Sequence, residues 1–344
     1  MWRTNSAERA SPDAGERSPV PDPVPPSEAE GAALGGDRHP EAAASSPAIH
    51  AVGLSKRFGD TVAVDSLSMT VNRGEVFGFL GPNGAGKTTV VKLLLGLARP
   101  TGGEALVLGA PLGDREARRH IGYLPELFRF QTLLSAREVL RLHCRLLALP
   151  KATWVQEERR ALETVCLLER GDDRVGTFSK GMQQRLGLGV ALLGGPTLVV
   201  LDEPTSALDP VGRHDVREIV RGLRERGATV FLNTHLLEEA EQVCDRVAVI
   251  DRGRAVATGS LDELLGRQSR LRLKVGGLGQ NWWSGFGRFG DWHRQDEWLV
   301  VEGIDPSRIA ELVGQLVAAG GQIEAVIPEH QSLEARFLEL LGER

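Results

Sequence analysis

The sequence predicts an α/β protein built around a largely parallel sheet, and three observations carry that prediction. Apolar runs at Leu198–Leu201, Thr229–Asn233 and Val247–Ile250 are separated by helix-like or turn-like segments, the alternation that parallel strands with crossover connections require. Upstream, short β-rich runs at Ile49–Leu54, Leu67–Val71 and Val76–Leu80 alternate with turns, and the last enters a glycine-rich loop followed by a helical segment, Lys87–Leu97. Between Ala117 and Leu193 the apolar spacing is mainly helical, with Arg137–Leu149 and Val155–Leu168 as amphipathic helices.

At 344 residues the chain is longer than one typical domain, which predicts a full-size core domain with a smaller appendage. Residues 1–47 are dominated by Pro, Ser, Ala, Glu and Gly and hold almost no large apolar side chains. They predict a disordered extension, because too little surface can be buried to offset chain entropy. Residues 48–265 are expected to form the core domain, with the helical stretch at about 117–193 as a subdomain between two β/α portions. Residues 266–344 predict a small α+β appendage, with strands at Leu271–Val275, Trp298–Val301 and Ile323–Ile327 and helices at Pro306–Ala319 and Leu333–Leu341. Its Trp282, Trp283, Phe286, Phe289, Trp292 and Trp298 interleave with glycine, a pattern that more often builds a small core or a subunit contact than a ligand box.

The formal charge of -5, with acidic and basic residues interspersed, leaves no basic patch to track a phosphate backbone, so nucleic acid is not an expected partner. Cys144, Cys166 and Cys244 are far apart and lack CxxC spacing, so they predict neither a zinc site nor a disulfide framework but small buried apolar residues in a reducing compartment. The most apolar stretch, Val190–Leu201, is broken by Gly194, Gly195 and Pro196 and is shorter than the ~20 residues a spanning helix needs. The amino terminus lacks the basic-then-apolar pattern of a secretory signal, and the expectation is a cytoplasmic chain.

Gly81-Pro82-Asn83-Gly84-Ala85-Gly86-Lys87-Thr88-Thr89 fits the phosphate-loop pattern between a strand and a helix, the context that pattern requires. Glycines let the backbone curl so that successive N–H groups face the phosphates, and the following helix adds the positive end of its dipole. Lys87 is expected to bridge the terminal phosphates, and Thr88 to place a hydroxyl where Mg²⁺, which prefers oxygen ligands, is held against them. Leu198-Val199-Val200-Leu201 runs into Asp202-Glu203, as a buried strand delivering two carboxylates to its carboxyl end, where ligands bind. Adjacent strand residues point to opposite faces, so the two carboxylates are expected to divide the work: Asp202 in the Mg²⁺ shell, Glu203 polarising the attacking water.

Phe178-Ser179-Lys180-Gly181-Met182-Gln183-Gln184-Arg185, just upstream of that strand, resembles the signature segment of ABC transporter ATPase subunits. The resemblance covers roughly Ile49–Leu265, with the motifs in the family's order, and implies a phosphate-loop NTPase core of ABC type that uses ATP and Mg²⁺. It implies Ser206-Ala207-Leu208-Asp209 as the dimer-contact loop and His235 as the switch histidine, placed to hydrogen-bond the γ-phosphate and orient water. Two such domains pair head to tail in the family, so Ser179 and Gly181 of one copy are expected to close over the γ-phosphate held by Lys87 of the other. Gln183 and Asp209 are placed with the nucleotide-contacting residues by the same resemblance. Independently, Ser179 suits the cap of a helix starting near Gly181, and a capped start presents N–H groups to an anion. Phe58 stands where the family carries an aromatic that stacks on adenine.

Two positions depart from the commonest family pattern. Glu126, in Ile121-Gly122-Tyr123-Leu124-Pro125-Glu126, replaces a glutamine that senses the γ-phosphate through Mg²⁺; the carboxylate keeps an oxygen ligand. Lys180 and Met182 stand where small residues are usual. Both departures are similar to the branch of drug and polysaccharide exporters, which implies a permease on a separate chain, a second copy as the other ATPase subunit, and a place at the cytoplasmic face of the membrane, held through the permease. Ser332–Leu340 is similar to the last helix of that branch. The alternative, a soluble ABC ATPase of translation or DNA repair, predicts tandem nucleotide domains, a zinc module or a long coiled-coil insertion, and the sequence carries none of these.

Overall fold

Parallel strands need crossovers, and the helices between the apolar runs supply them. The computed structural model describes residues 46–206, 208–265, 270–277, 285–329 and 333–342. The expected extension up to residue 45, Ala207 of the expected dimer-contact loop, Trp282, Trp283 and Ser332 lie outside the described residues.

Strands β1 (Ile49–Phe58) and β2 (Thr61–Val71) pair antiparallel across the Gly59-Asp60 turn and run well past the Ile49–Leu54 and Leu67–Val71 expected, because polar residues between those runs continue the pairing. β3 (Val76–Leu80) is buried along its whole length and leads through the glycine loop to α1 (Lys87–Leu94). β4 (Gly102–Val107) and β5 (Ala110–Pro111) complete a four-stranded sheet in the order β2-β1-β4-β5. After α2 (Arg115–Arg119) comes β6 (Ile121–Leu124), which corrects the helical reading of the chain from Ala117 onward: these four residues pair parallel with Leu198–Leu201.

The helical subdomain contains α3 (Ala136–Leu146), α4 (Trp154–Thr164) and α5 (Lys180–Ala191). A reciprocal cap between Ser135 and Glu138 starts α3, and Leu147 ends it, before Ala148 takes a left-handed φ of 54°. Buried Leu140 and Cys144 of α3 belong to the same apolar cluster as Leu162 of α4 and Leu186 of α5. Glu158 is buried and accepts from Arg141 Nε at 2.7 Å, tying α4 to α3.

β7 (Leu198–Asp202), α6 (Pro210–Glu225), β8 (Thr229–Thr234), α7 (Leu237–Val243) and β9 (Arg246–Asp251) then alternate, and β10 (Arg254–Ser260) returns as a hairpin before α8 (Leu261–Leu265). The six-stranded sheet has the order β10-β9-β3-β8-β7-β6, parallel except for β10. Alternation within the strands sends Phe77 and Phe79 to the face covered by α1 and the β1-β2 sheet, and Val76 and Leu80 to the face covered by helices. Phe231 meets Phe77 and Phe79 with ring centroids 6.0 and 5.4 Å apart.

The appendage is a four-stranded antiparallel sheet, β12 (Asp291–Gln295), β13 (Trp298–Glu302), β11 (Arg270–Gly276) and β14 (Gln322–Glu329) in that order, packed on α9 (Ile309–Ala318). Phe286 and Phe289 are buried in its core, and Trp292 meets Phe286 edge-on at 6.2 Å, while Trp298 carries the Arg272 guanidinium 4.4 Å from its ring centre. The last helix, α10 (Leu333–Gly342), departs from the division expected at residue 266: it packs on α7 and α8, and Leu333 is buried in the apolar core of the domain that carries the glycine loop. Cys144 and Cys244 are buried as expected, whereas Cys166 is exposed, in the left-handed turn after α4.

Candidate functional site

Ligands of open parallel sheets gather at the carboxyl ends of the strands. Here the register sets Leu80 beside Thr234 and Asp202 beside Asn233, so the glycine loop after β3, the carboxylates ending β7 and the histidine after β8 meet at one edge. A cleft of about 360 Å³ opens there, lined by Lys87, Thr88, Glu126, Glu203, Asn233 and His235 together with the loop backbone.

The loop is shaped by close approach. Gly86 caps α1 with φ 101°, and a Cβ there would lie 2.2 Å from the Ala63 carbonyl oxygen. A Cβ on Gly81 would lie 2.3 Å from the Ile250 oxygen. Gly253, in the β9-β10 turn, donates its N–H to the Ala85 oxygen at 2.8 Å and braces the loop from behind. Lys87 is buried, and its Nζ donates to the Gly81 oxygen at 2.7 Å and the Pro82 oxygen at 3.2 Å. Burial lowers the Lys87 pKa, opposed by the charges of Glu203, Asp202 and Glu126.

Asp202 is 1 % exposed, and burial pushes its carboxyl pKa up; the hydrogen bond from Asn233 opposes this, the Glu126 and Glu203 charges add to it, and Lys87 opposes it. The Tyr123 phenol is pushed up to about 12 by burial and by the nearby charges of Asp202 and Glu126. Glu203 holds φ at 51°, a left-handed conformation that costs a non-glycine residue of order 1–3 kcal/mol and that clusters at functional sites. Its N–H donates to the Asn233 oxygen at 2.9 Å, and its carbonyl accepts from Ser206 Oγ at 3.2 Å, which together hold the turn. Oε1 of Glu203 lies 2.8 Å from His235 Nδ1; Oε2 is buried without a hydrogen-bond partner among the described residues.

Hard oxygen donors suit Mg²⁺, and the edge supplies them in the Thr88 hydroxyl and the Asp202 and Glu126 carboxylates. Among the described residues no cluster of three His, Cys, Asp or Glu side chains is placed to hold a metal ion.

The structure brings Lys87, Thr88, Thr89, Glu126, Glu203 and His235 together, with Asp202 bonded to Asn233 beside them. Phe58 ends β1, is exposed, pairs with Thr61 of the cleft wall and carries Lys56 Nζ 4.9 Å from its ring centre. Ser179, Gly181, Gln183 and Asp209 do not line this cleft. Ser179 Oγ accepts from the Met182 N–H at 3.2 Å as the cap of α5, Gln183 Nε2 donates to the Phe178 oxygen, and Asp209 caps α6 by accepting from the Gly212 N–H at 2.8 Å. Gln184 Nε2 donates to the Pro204 oxygen at 3.0 Å and links the start of α5 to the turn after the carboxylates. Sequence reasoning missed Asn233, because an asparagine ending a strand matches no motif and only the pairing register sets it against Asp202.

Residues 64–206 match the family model described as ABC transporter. The chain is 40 % identical over 288 residues to an uncharacterized ABC transporter ATP-binding protein of Nostoc sp., covering 80 % of this chain and 82 % of that protein. It is 43 % identical over 223 residues to the Nod factor export ATP-binding protein I of Rhizobium sp., covering 64 % of this chain and 73 % of that protein. The solved structure of an ATP-binding subunit of an ABC transporter superposes with a TM-score of 0.58 at 32 % identity, over 63 % of this chain and 91 % of that one.

Proposed function

Because the chain belongs to the family of ABC transporter ATP-binding proteins, we propose that it powers an exporter, closing as a pair over Mg–ATP and driving a permease carried on a separate chain. ATP binding and ATPase activity come with that family, and no helix among the described residues is long and apolar enough to cross a membrane. In this reading the permease holds the chain at the cytoplasmic face of the membrane. Export as the direction is supported by the likeness to the Nod factor export proteins.

The observation that carries the reading is the gathering of Lys87, Thr88, Glu203 and His235 around one cleft, with a buried carboxylate oxygen of Glu203 left without a partner. Lys87 then bridges the terminal phosphates; Thr88, Asp202 and Glu126 hold Mg²⁺, which supplies charge neutralisation when bound. Glu203 takes up a proton from the attacking water, and His235 orients Glu203 and the γ-phosphate. Gly81 to Thr89 supply backbone donors to the phosphates, and Phe58 stacks on the adenine. Ser179, Gly181, Gln183 and Asp209, away from the cleft in their own chain, act on the nucleotide of the second copy, and this separation is what supports a functional pair.

Phosphate release by the purified chain, with and without EDTA, tests this. Activity lost on chelation and restored by Mg²⁺ is expected, and Lys87→Ala should lower ATP affinity and turnover together. Equal rates with and without EDTA would sink the reading.

A further inference from the structure

Asn233 is 1 % exposed and bonds to both carboxylate residues at once. Its Nδ2 donates to Asp202 Oδ1, its backbone oxygen accepts from the Glu203 N–H at 2.9 Å, and strand register sets it directly beside Asp202. Its Oδ1 is buried and has no partner among the described residues, yet Asn233 lines the cleft. A buried amide oxygen left without a donor costs about 1–3 kcal/mol, so a residue serving only to cross-link two strands is better replaced by one with no orphaned atom.

We propose that Asn233 is a positioning residue for the Mg–ATP site. Its amide NH₂ occupies one oxygen of Asp202 and fixes the rotation of that carboxylate, so that the other oxygen is presented to the cation. Its Oδ1 accepts a hydrogen bond from water brought in with the nucleotide. The two halves of one carboxamide thereby couple the orientation of Asp202 to the hydration of the bound phosphates, and the backbone bond to Glu203 keeps both carboxylates in one register. Groups that orient a metal ligand without touching the metal typically change metal affinity by about 10- to 100-fold when removed.

The inference rests on the Mg²⁺-dependent ATPase reading, and one titration separates the two. Wild type and Asn233→Ala are titrated with Mg²⁺ while phosphate release is followed, and binding of a fluorescent ATP analogue is measured in EDTA and in Mg²⁺. In Asn233→Ala the Mg²⁺ concentration for half-maximal activity should rise roughly 10- to 100-fold. Analogue affinity in EDTA should stay at the wild-type value, and the gain in affinity on adding Mg²⁺ should shrink. Asn233→Ser, whose shorter hydroxyl keeps one donor and acceptor, should shift the midpoint less and in the same direction, and it provides the measurement if the alanine variant does not fold. An unshifted midpoint in a folded variant overturns the proposal, as does an equal loss of analogue affinity in EDTA and in Mg²⁺, which would mark a packing role. A wild type indifferent to Mg²⁺ overturns the ATPase reading and this inference with it.

Discussion

Glu203 and His235 hold each other: Nδ1 of the imidazole lies 2.8 Å from Oε1 of the carboxylate. That contact leaves Oε2 buried without a partner, and the left-handed turn at Glu203 fixes where the side chain departs. A general base needs an oxygen held still and left uncommitted, and these two features supply both.

Glu203→Gln should therefore slow hydrolysis by at least ~100-fold, the lower end of a general-base contribution, without a comparable loss of ATP affinity. Binding then outlives chemistry, and an ATP-dependent pair of chains should accumulate on size-exclusion chromatography with light scattering. A folded variant that hydrolyses ATP at the wild-type rate would refute the role.

Asp202 is a buried carboxylate whose pKa is raised chiefly by desolvation, so the fold carries a cost for its charge. The folded pKa lies above the unfolded one; the cost is absent below the unfolded value and is fully present once the pH exceeds the folded value. Asp202→Asn keeps an oxygen to accept from Asn233 and should raise the melting temperature at neutral pH, with the gain shrinking as the pH falls toward the ordinary carboxylate range. Mg²⁺-dependent activity should be lost in the same variant. A lower melting temperature at neutral pH would show that the Asp202 charge stabilises the fold.

The placement of the phosphate loop, the Asp202-Glu203 pair and His235 at strand ends is legible in the sequence, because strand ends follow from apolar runs. What escaped depended on pairing across the chain. Ile121–Leu124 is too short to show a period and sits among helical spacings, so only its register with β7 makes it a strand. Asp291–Gln295 has almost no apolar alternation, yet pairs along β13 from Asp291 to Gln295. Cys166 looked like a buried apolar residue, but α4 ends just before it and the turn carries its side chain outward.

Two glycines of the loop have positive φ and different surroundings. A Cβ at Gly86 would lie 2.2 Å from the Ala63 oxygen, whereas a Cβ at Gly84 would meet nothing within 4 Å. Both alanine variants bear backbone strain of order 1 kcal/mol or more, but only Gly86→Ala must also push strand β2 aside. Thermal melting should show a clearly larger fall for Gly86→Ala than for Gly84→Ala; equal falls would show that the contact with Ala63 is relaxed at no cost.

The last helix offers the sharpest test of how the chain divides. If α10 belonged to the appendage alone, its substitutions would leave the nucleotide-loop domain untouched. Instead Leu333 is 1 % exposed and lies in the apolar core shared with α7. Its N–H also donates to Glu241 Oε2 at 3.3 Å, so a carboxylate on α7 caps the start of α10. The same short helix α7 begins two residues after His235. Removing a buried leucine costs about 2–5 kcal/mol, and each kcal/mol lowers the melting temperature by about 2–4 °C in a domain of 150–250 residues. Leu333→Ala should therefore lower the melting temperature by roughly 5 °C or more, with the protection by ATP measured alongside. Leu338, on the same helix, is 64 % exposed, and Leu338→Ala should change stability by no more than about 0.5 kcal/mol. If the two variants melt together at the wild-type temperature, α10 does not support the nucleotide-loop domain.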